Sequence, residues 1–591
     1  MNHDPTATVV KPAPALPDWH PAWSKELADL YFSGTINTFV LHGNVYDLVR
    51  CREGGATSFV SLPDFLSTQM FGAWDVTLSY DLGRGLRAVA GSDGKRLQAM
   101  MQYLSGIIGA PNTWSRDPDK MLDLVEPLLQ RNLLDDNVAN RKRIAFLFEH
   151  GEYLLPAGDL ASQARSQAAR LVRFLGWAAN PYIKRLNLAF CLITEKLTEV
   201  SQRLVNNPHV SAIEIPLPGV EERRVFIETS LGEKPAEKLG TMTVEGLAQN
   251  SAGLSLVNLN VLLSQGGGRA FDMTQFRKLK KNMIERQCQG LVEFVEPPHT
   301  LDLLVGQAAA KERLEQDAAW ISQGRLETAP MGYLFCGAVG TGKTFFAECY
   351  AGSIGIPCIK LRNFRSKYVG ETEGNLEQVL TVLRSLGPVV VIVDEADASL
   401  GDRRAEGDSG TSGRVFSMIA SQMGDTRYRG RIIWMLLTSR PDLLPIDLKR
   451  QGRCEVHIPL FAPYDPAEIA TMFKVMAKKN KIHLAEDAVP EVSPDRELSG
   501  ADLESVLLAS RRRALAAGRE TVERADLAAA LEEFIPSAQG LEKELQELAA
   551  VLECTERNFL PPVWREKIAP PGARAQLQER LVALRQLIDG S

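Results

Sequence analysis

The 591 residues include eight cysteines but no Cys-x-x-Cys pair. This argues against a zinc ribbon or a disulfide framework and for a reducing compartment. No apolar run approaches the ~18 residues of a membrane-spanning helix. The N-terminal stretch MNHDPTATVVKPAPALPDWH has no basic start leading into an apolar core, so it does not read as a signal peptide. Residues 1–17 read instead as a disordered tail. His-Glu-x-x-His is absent, which excludes a zinc protease of that type within these residues. Neither charge dominates: 67 Lys+Arg face 73 Asp+Glu for a net charge of −6, too acidic for a general nucleic-acid coat. With 46 glycines and 32 prolines the chain is neither collagen-like nor globally disordered. At 45% hydrophobic and 24% charged residues it has a globular composition, with length for about four domains. The expectation is a cytoplasmic protein of several domains with no transmembrane segment.

Short apolar runs alternate with amphipathic stretches. RIAFLFEHGEYLL, LAFCLIT and AIEIPL fall in the first half; GYLFCG, VVVIVDEAD, IIWMLLTS and VHIPL fall in the second. Such alternation predicts α/β layers with a mostly parallel sheet. LVEFVEPPHT carries a Pro pair and marks a linker at 291–301. Residues 463–537 read as almost wholly helical. Residues 538–591 are a C-terminal helical extension whose leucines fit either a short coiled coil or packing on the chain's own body. With fewer than three heptads in each helix, self-packing is favoured.

Residues 337–344, GAVGTGKT, match G-x-x-x-x-G-K-[ST] between an apolar strand and a helical run. Gly340 and Gly342 let backbone N–H groups converge on phosphate oxygens. Lys343 reaches the β- and γ-phosphates, and the Thr344 hydroxyl is the expected Mg²⁺ ligand. Fifty residues on, VVVIVDEAD ends a buried strand in two acids. Asp394 would hold Mg²⁺ through water, and Glu395 would orient and deprotonate the attacking water.

With these motifs, residues 302–537 resemble the AAA module of AAA+ ATPases, in the clade of ring-forming protein-remodelling enzymes. LDLLVGQAAAKERL resembles the segment that lies against adenine, SKYVGETEGNL the central-pore loop, and LLTSRPDLLPIDLKRQGRCEVHIPL the sensor strand with paired arginine fingers. LSGADLESVLLASRRRAL resembles the helical lid. The resemblance implies a P-loop parallel-sheet subdomain at 302–462 and a lid at 463–537. It implies an ATP site of Val305, Gly306, Gly337, Val339, Gly340, Thr341, Gly342, Lys343, Thr344, Phe345, Gly500 and Ala501. It also implies catalytic roles for Glu395, Arg450, Arg453 and Ser439, and a pore loop of Lys367, Tyr368 and Val369 that grips an extended polypeptide. Ser439 departs from the asparagine usual at the sensor position. Fingers acting in trans imply a homo-oligomeric ring, most simply a hexamer. The bland alternatives are that Arg450 and Arg453 are solvated charges and Tyr368 is packed in a loop. The implied function is ATP-driven remodelling, unfolding or disassembly of a protein client. A nucleic-acid motor or loader and a nucleotide-timed scaffold are the rivals.

The first half reads as a worn copy of the second. Glu149 precedes Asp394 by 245 residues, Ile215 precedes Ile458 by 243, and Gly253 precedes Gly500 by 247. The chemistry is missing: LHGNVYDL has no Gly-Lys-Thr, His150 stands under Glu395, and Asn207 and Val210 stand under the two arginines. Residues 18–290 are therefore expected to be a degenerate, inactive AAA-like module, with Glu149 and His150 an inherited strand end and no metal site.

Overall fold

The computed structural model describes residues 15–135, 137, 140–158, 164–232, 243–265, 273–297, 299–362, 371–400, 411–493, 496–536 and 540–589. The chain forms two compact units: residues 1–288 with 366–385, and residues 289–365 with 386–591.

The strands of the first unit are β1 (Thr38–Gly43), β2 (Leu48–Glu53), β3 (Ala56–Ser61), β4 (Val76–Asp81), β5 (Gly85–Ala88), β6 (Ile144–Phe148), β7 (Leu188–Ile193) and β8 (Val210–Ile215). Six of them form a sheet in the order β5-β4-β6-β7-β1-β8, parallel except for β4–β5. Side chains alternate across it. Phe39, Leu41, Ala145, Leu147, Ala189 and Cys191 enter one core. Val40, Ile144, Phe146, Phe148, Phe190 and Leu192 enter the other. Strands buried on both faces explain why these runs are apolar throughout rather than alternating with polar residues. The β2–β3 hairpin, which turns at Gly54–Gly55, and β4 and β5 were not legible as strands.

The first unit also includes the helix Glu371–Ser385. Glu377 accepts hydrogen bonds from the backbone N–H groups of Leu197 (3.1 Å) and Thr198 (3.3 Å), and Arg384 pairs with Glu214 at 3.0 Å.

In the second unit the strands are β9 (Val292–Val295), β10 (Gly332–Gly337), β11 (Cys358–Leu361), β12 (Val389–Val393), β13 (Ile432–Thr438) and β14 (Val456–Leu460), ordered β14-β10-β13-β12-β11-β9. Residues 291–301, expected as linker, thus supply β9, which runs antiparallel to β11. Val-Glu-Phe-Val is a short edge strand with Val292 buried and the other three residues half-buried, and the Pro pair comes only after it. Every residue of β10, β12 and β13 is buried.

Taken from opposite ends, the five parallel strands of the two sheets have the same order, and each sheet adds one antiparallel edge strand, β5 directly after its neighbour in the first and β9 ahead of all the others in the second. Gly43 pairs with Ile215 as Gly337 pairs with Leu460, and in both a Cβ would strike the partner's carbonyl oxygen, at 2.8 and 2.1 Å. His150 after β6 (φ 56°) and Glu395 after β12 (φ 48°) both hold the left-handed backbone that non-glycine residues avoid. The fold is α/β, with a mostly parallel sheet present twice.

The C-terminal helices Leu541–Glu553 and Ala573–Asp589 pack on each other through Leu545, Leu548 and Leu584. The first also buries Ala549, Ala550 and Val551 in the same unit, the self-packing arrangement.

Candidate functional site

Residues 337–344 leave β10 at the carboxyl edge of its sheet and enter the helix Lys343–Ile354. Gly340 (φ 84°) and Gly342 (φ 86°) take backbone conformations that side chains with a Cβ resist. The Lys343 ammonium donates to the carbonyls of Gly337 and Ala338, each at 2.9 Å. Burial holds its pKa below the ordinary lysine value, against the pull of Asp394. Across the loop, the lid helix Gly500–Ala516 opens on Ser499, whose hydroxyl accepts from Asp502 N while Asp502 caps Ser499 N. Ala501 N donates to Gly340 O at 3.1 Å, which joins lid and loop.

Between them lies a cavity of about 370 Å³, lined by Leu303, Leu304, Val305, residues 340–346, Met472, Val475, Met476, Lys479, Gly500, Ala501 and Glu504. That is the size of a small-molecule site, apolar at the base end and rich in N–H donors at the loop. Gly306 (φ 75°) sits beside Glu468. Lys479 Nζ lies 5.0 Å from the Phe345 ring centre.

At the end of β12, Asp394 Oδ2 accepts from the Thr344 hydroxyl at 3.4 Å and from Lys360 Nζ at 2.7 Å. A hydroxyl and a carboxylate beside a phosphate cradle are the hard oxygen donors that Mg²⁺ takes, and a cationic ammonium already contacts the same carboxylate. Glu395 follows at the strand end. On β13, Thr438 donates to Asp397 Oδ1 at 2.6 Å, and Ser439 is half-buried beside it.

The two arginines differ. The Arg450 side chain is 61% exposed and its Nε lies 3.5 Å from Asp447. The Arg453 side chain is 13% exposed and turns back to donate to Asp447 O at 2.8 Å. Burial, then the nearby Arg450 charge, lowers its pKa. Lys367, Tyr368 and Val369 lie outside the described residues. Lys360 was missed in the sequence because a lysine within a four-residue strand carries no motif. Its partner is identified only by the pairing of β11 with β12.

The equivalent edge of the first unit is filled differently. Tyr46 OH and His150 Nδ1 lie 2.7 Å apart, and Asp47 accepts from the N–H groups of Leu256 and Val257, each at 2.9 Å. Glu149 pairs with Arg84 and Arg87, and burial raises the Glu195 pKa. The cavity there is about 70 Å³. Among the described residues, no group of three or more His, Cys, Asp or Glu side chains could hold a metal ion.

A glycine-rich loop leaving a parallel strand, a lid helix bonded to it and an acid pair two strands away define a P-loop nucleotide-binding class. Residues 333–461 match the family described as "ATPase family associated with various cellular activities (AAA)". Residues 11–216 match "AAA+ chaperone, N-terminal Rossmann-like domain", and 221–289 match "AAA+ chaperone, second helical domain". The chain belongs to the AAA+ ATPases.

Relatives include ATP-dependent zinc metalloprotease FtsH 3 of Sphaerobacter thermophilus, 29% identical over 40% of this chain and 50% of the relative. The Cell division cycle protein 48 homolog of Archaeoglobus fulgidus is 26% identical over 50% of this chain and 44% of its own length. An uncharacterized AAA domain-containing protein, ycf46, of Pyropia yezoensis is 22% identical over 58% of this chain and 71% of its own. The chain thus spans about half the length of the first two. Among the described residues, no helix is long and apolar enough to cross a membrane.

Proposed function

We propose that this chain hydrolyses ATP in its second module and uses the cycle to remodel, unfold or disassemble a protein client, working as a homo-oligomeric ring, most simply a hexamer. The observation that carries this reading is the cavity shared by phosphate loop and lid, with the bond from Ala501 N to Gly340 O closing one side. A ligand that pulls on the loop therefore also pulls on the lid.

The roles follow from position. Backbone N–H groups of 340–344 and the Lys343 ammonium bind the phosphates. Thr344 and Asp394 would hold Mg²⁺, which neutralises phosphate charge when bound. Glu395, on a strained backbone at the strand end, orients and deprotonates the attacking water. Ser439 supplies a sensor hydroxyl. Arg450, pointing to solvent, acts on the nucleotide of a neighbouring subunit; Arg453 braces the turn that presents it. Val305 and Gly306 border the base end. Lys367, Tyr368 and Val369 form the loop that grips the client, the aromatic ring giving sequence-tolerant contact.

The first module is a structural or client-recruiting tier. What supports this is that Tyr46 is engaged with His150, Asp47 is engaged by Leu256 N–H, and the turn after β1 carries no Gly-Lys-Thr. The matched AAA+ chaperone domains support a protein rather than a nucleic acid as the client. In the full chain, unfolded polypeptide should stimulate ATP turnover, and Tyr368→Ala should abolish that stimulation while sparing basal turnover. Stimulation by DNA or RNA instead, or stimulation that survives Tyr368→Ala, would overturn this reading.

A further inference from the structure

We infer that the helix Leu541–Glu553 is a clasp that pre-shapes the phosphate loop and holds the lid beside it, with Gln546 a positioning residue for ATP. Gln546 Oε1 accepts a hydrogen bond from Val339 N at 3.1 Å, inside the loop itself. One turn earlier, Lys543 Nζ donates to Glu497 O at 3.1 Å and to its carboxylate at 2.7 Å. Glu497 lies two residues before the lid-helix cap Ser499, and its left-handed backbone (φ 45°) makes the turn into the lid. Lys543 and Gln546 are three apart, so they share one helix face. One rigid surface thus contacts both halves of the nucleotide cavity.

The loop is held at two consecutive residues by two different elements. Val339 N is fixed by Gln546, and Gly340 O is fixed by Ala501 N. Together they set the peptide planes from which the converging N–H groups follow. A hydrogen bond made before the nucleotide arrives reduces the ordering that binding must otherwise impose.

The clasp is itself anchored. Lys449 Nζ meets the Glu553 carboxylate at 2.5 Å, and His457 N donates to the Thr555 hydroxyl at 3.0 Å. Residue chemistry also fits. A neutral amide accepts the Val339 proton without placing negative charge beside a polyphosphate, which a carboxylate would do.

The inference rests on 337–344 being the phosphate loop, so its test separates the two. In the full chain, Gln546→Met keeps side-chain length and packing but removes the acceptor, and Gln546→Glu keeps an acceptor but adds charge. ATP affinity by calorimetry, KM, kcat and Tm are measured beside Lys343→Ala. Gln546→Met should weaken ATP binding and raise KM about five-fold, the worth of one hydrogen bond, with kcat and Tm held. Gln546→Glu should bind more weakly still at low salt and recover part of the loss as salt rises. Wild-type affinity and KM in Gln546→Met, or a fall in Tm with affinity unchanged, would overturn the positioning role while Lys343→Ala still loses ATP. Normal ATP binding by Lys343→Ala would overturn the phosphate-loop reading and this inference with it.

Discussion

Gly340→Ala probes the join between phosphate loop and lid. A Cβ built there would lie 2.6 Å from Ser499 Oγ, 3.1 Å from Ser499 Cβ and 3.3 Å from Ala501 Cβ. The residue also sits at φ 84°, where an L side chain costs about 1–2 kcal/mol. Overpacking a well-filled contact adds about 1–3 kcal/mol. Ser499 cannot simply rotate away, because its hydroxyl is engaged with Asp502 at the helix cap. The variant relieves the contact by moving the lid off the loop, which sacrifices the bond from Ala501 N to Gly340 O. Closing over ATP restores the clash. The contact restored on closing, about 1–3 kcal/mol, corresponds to about 5–150-fold weaker ATP binding, while the φ cost, present with and without nucleotide, lowers stability instead. Calorimetry on the full chain measures it. Ser499→Gly alone should change affinity about two-fold or less, since glycine is a fair cap. In the double variant the contact cost is relieved, so affinity should recover to within about three-fold of wild type while the φ cost remains as a lowered Tm. Affinity of Gly340→Ala within about three-fold of wild type, or no recovery in the double variant, would show that the loop and lid are not joined through this contact.

Other outcomes follow from neighbouring contacts. Lys360→Met removes the ammonium that competes for Asp394, so the Mg²⁺ concentration that half-saturates ATP binding should fall about two- to five-fold, as expected for a partly exposed ion pair; nucleotide binding titrated with Mg²⁺ checks this. Burial alone would raise the Asp442 carboxyl, but the Arg440 and Arg585 guanidiniums outweigh it and hold its pKa below the ordinary value. A depressed folded pKa contributes stability that is present above the unfolded value of about 3.9 and lost as pH falls through the folded one. Arg585→Leu should therefore cost about 1.5–3 kcal/mol at neutral pH, and it should flatten the acid limb of denaturant-measured stability below about pH 4. Arg450→Ala should abolish most turnover yet leave ATP affinity near wild type, and mixing it with Glu395→Gln subunits should restore part of the activity if the arginine acts in trans. Kinetics on the mixed assembly reads that directly.

Much of this was legible because it depends on local pattern. GAVGTGKT declares its backbone through its glycines, and VVVIVDEAD declares a buried strand ending in acids. The duplication was visible as well, since the spacing of strand ends survived. What was hidden depends on contacts between distant segments. Lys360 gains meaning only when β11 lies beside β12, and Gln546 only when a helix some two hundred residues downstream reaches Val339. The different surroundings of Arg450 and Arg453 could not be read from an Arg-Gln-Gly-Arg spacing. The helix Glu371–Ser385 lies in sequence between two strands of the second sheet, yet it belongs to the first compact unit, and its Glu377 finds partners no periodicity could name. In the first half the absence of a Gly-Lys-Thr motif was legible, but the contacts of Tyr46 with His150 and of Asp47 with Leu256 and Val257 were not, because they join segments more than a hundred residues apart.

We propose one working nucleotide site per chain, in the second module. ATP stoichiometry and turnover measured together on wild type, Lys343→Ala and Glu395→Gln test it most directly. The prediction is one ATP bound per wild-type chain, none for Lys343→Ala, and one bound without turnover for Glu395→Gln. A second ATP per chain, residual binding in Lys343→Ala, or undiminished hydrolysis in Glu395→Gln would contradict it.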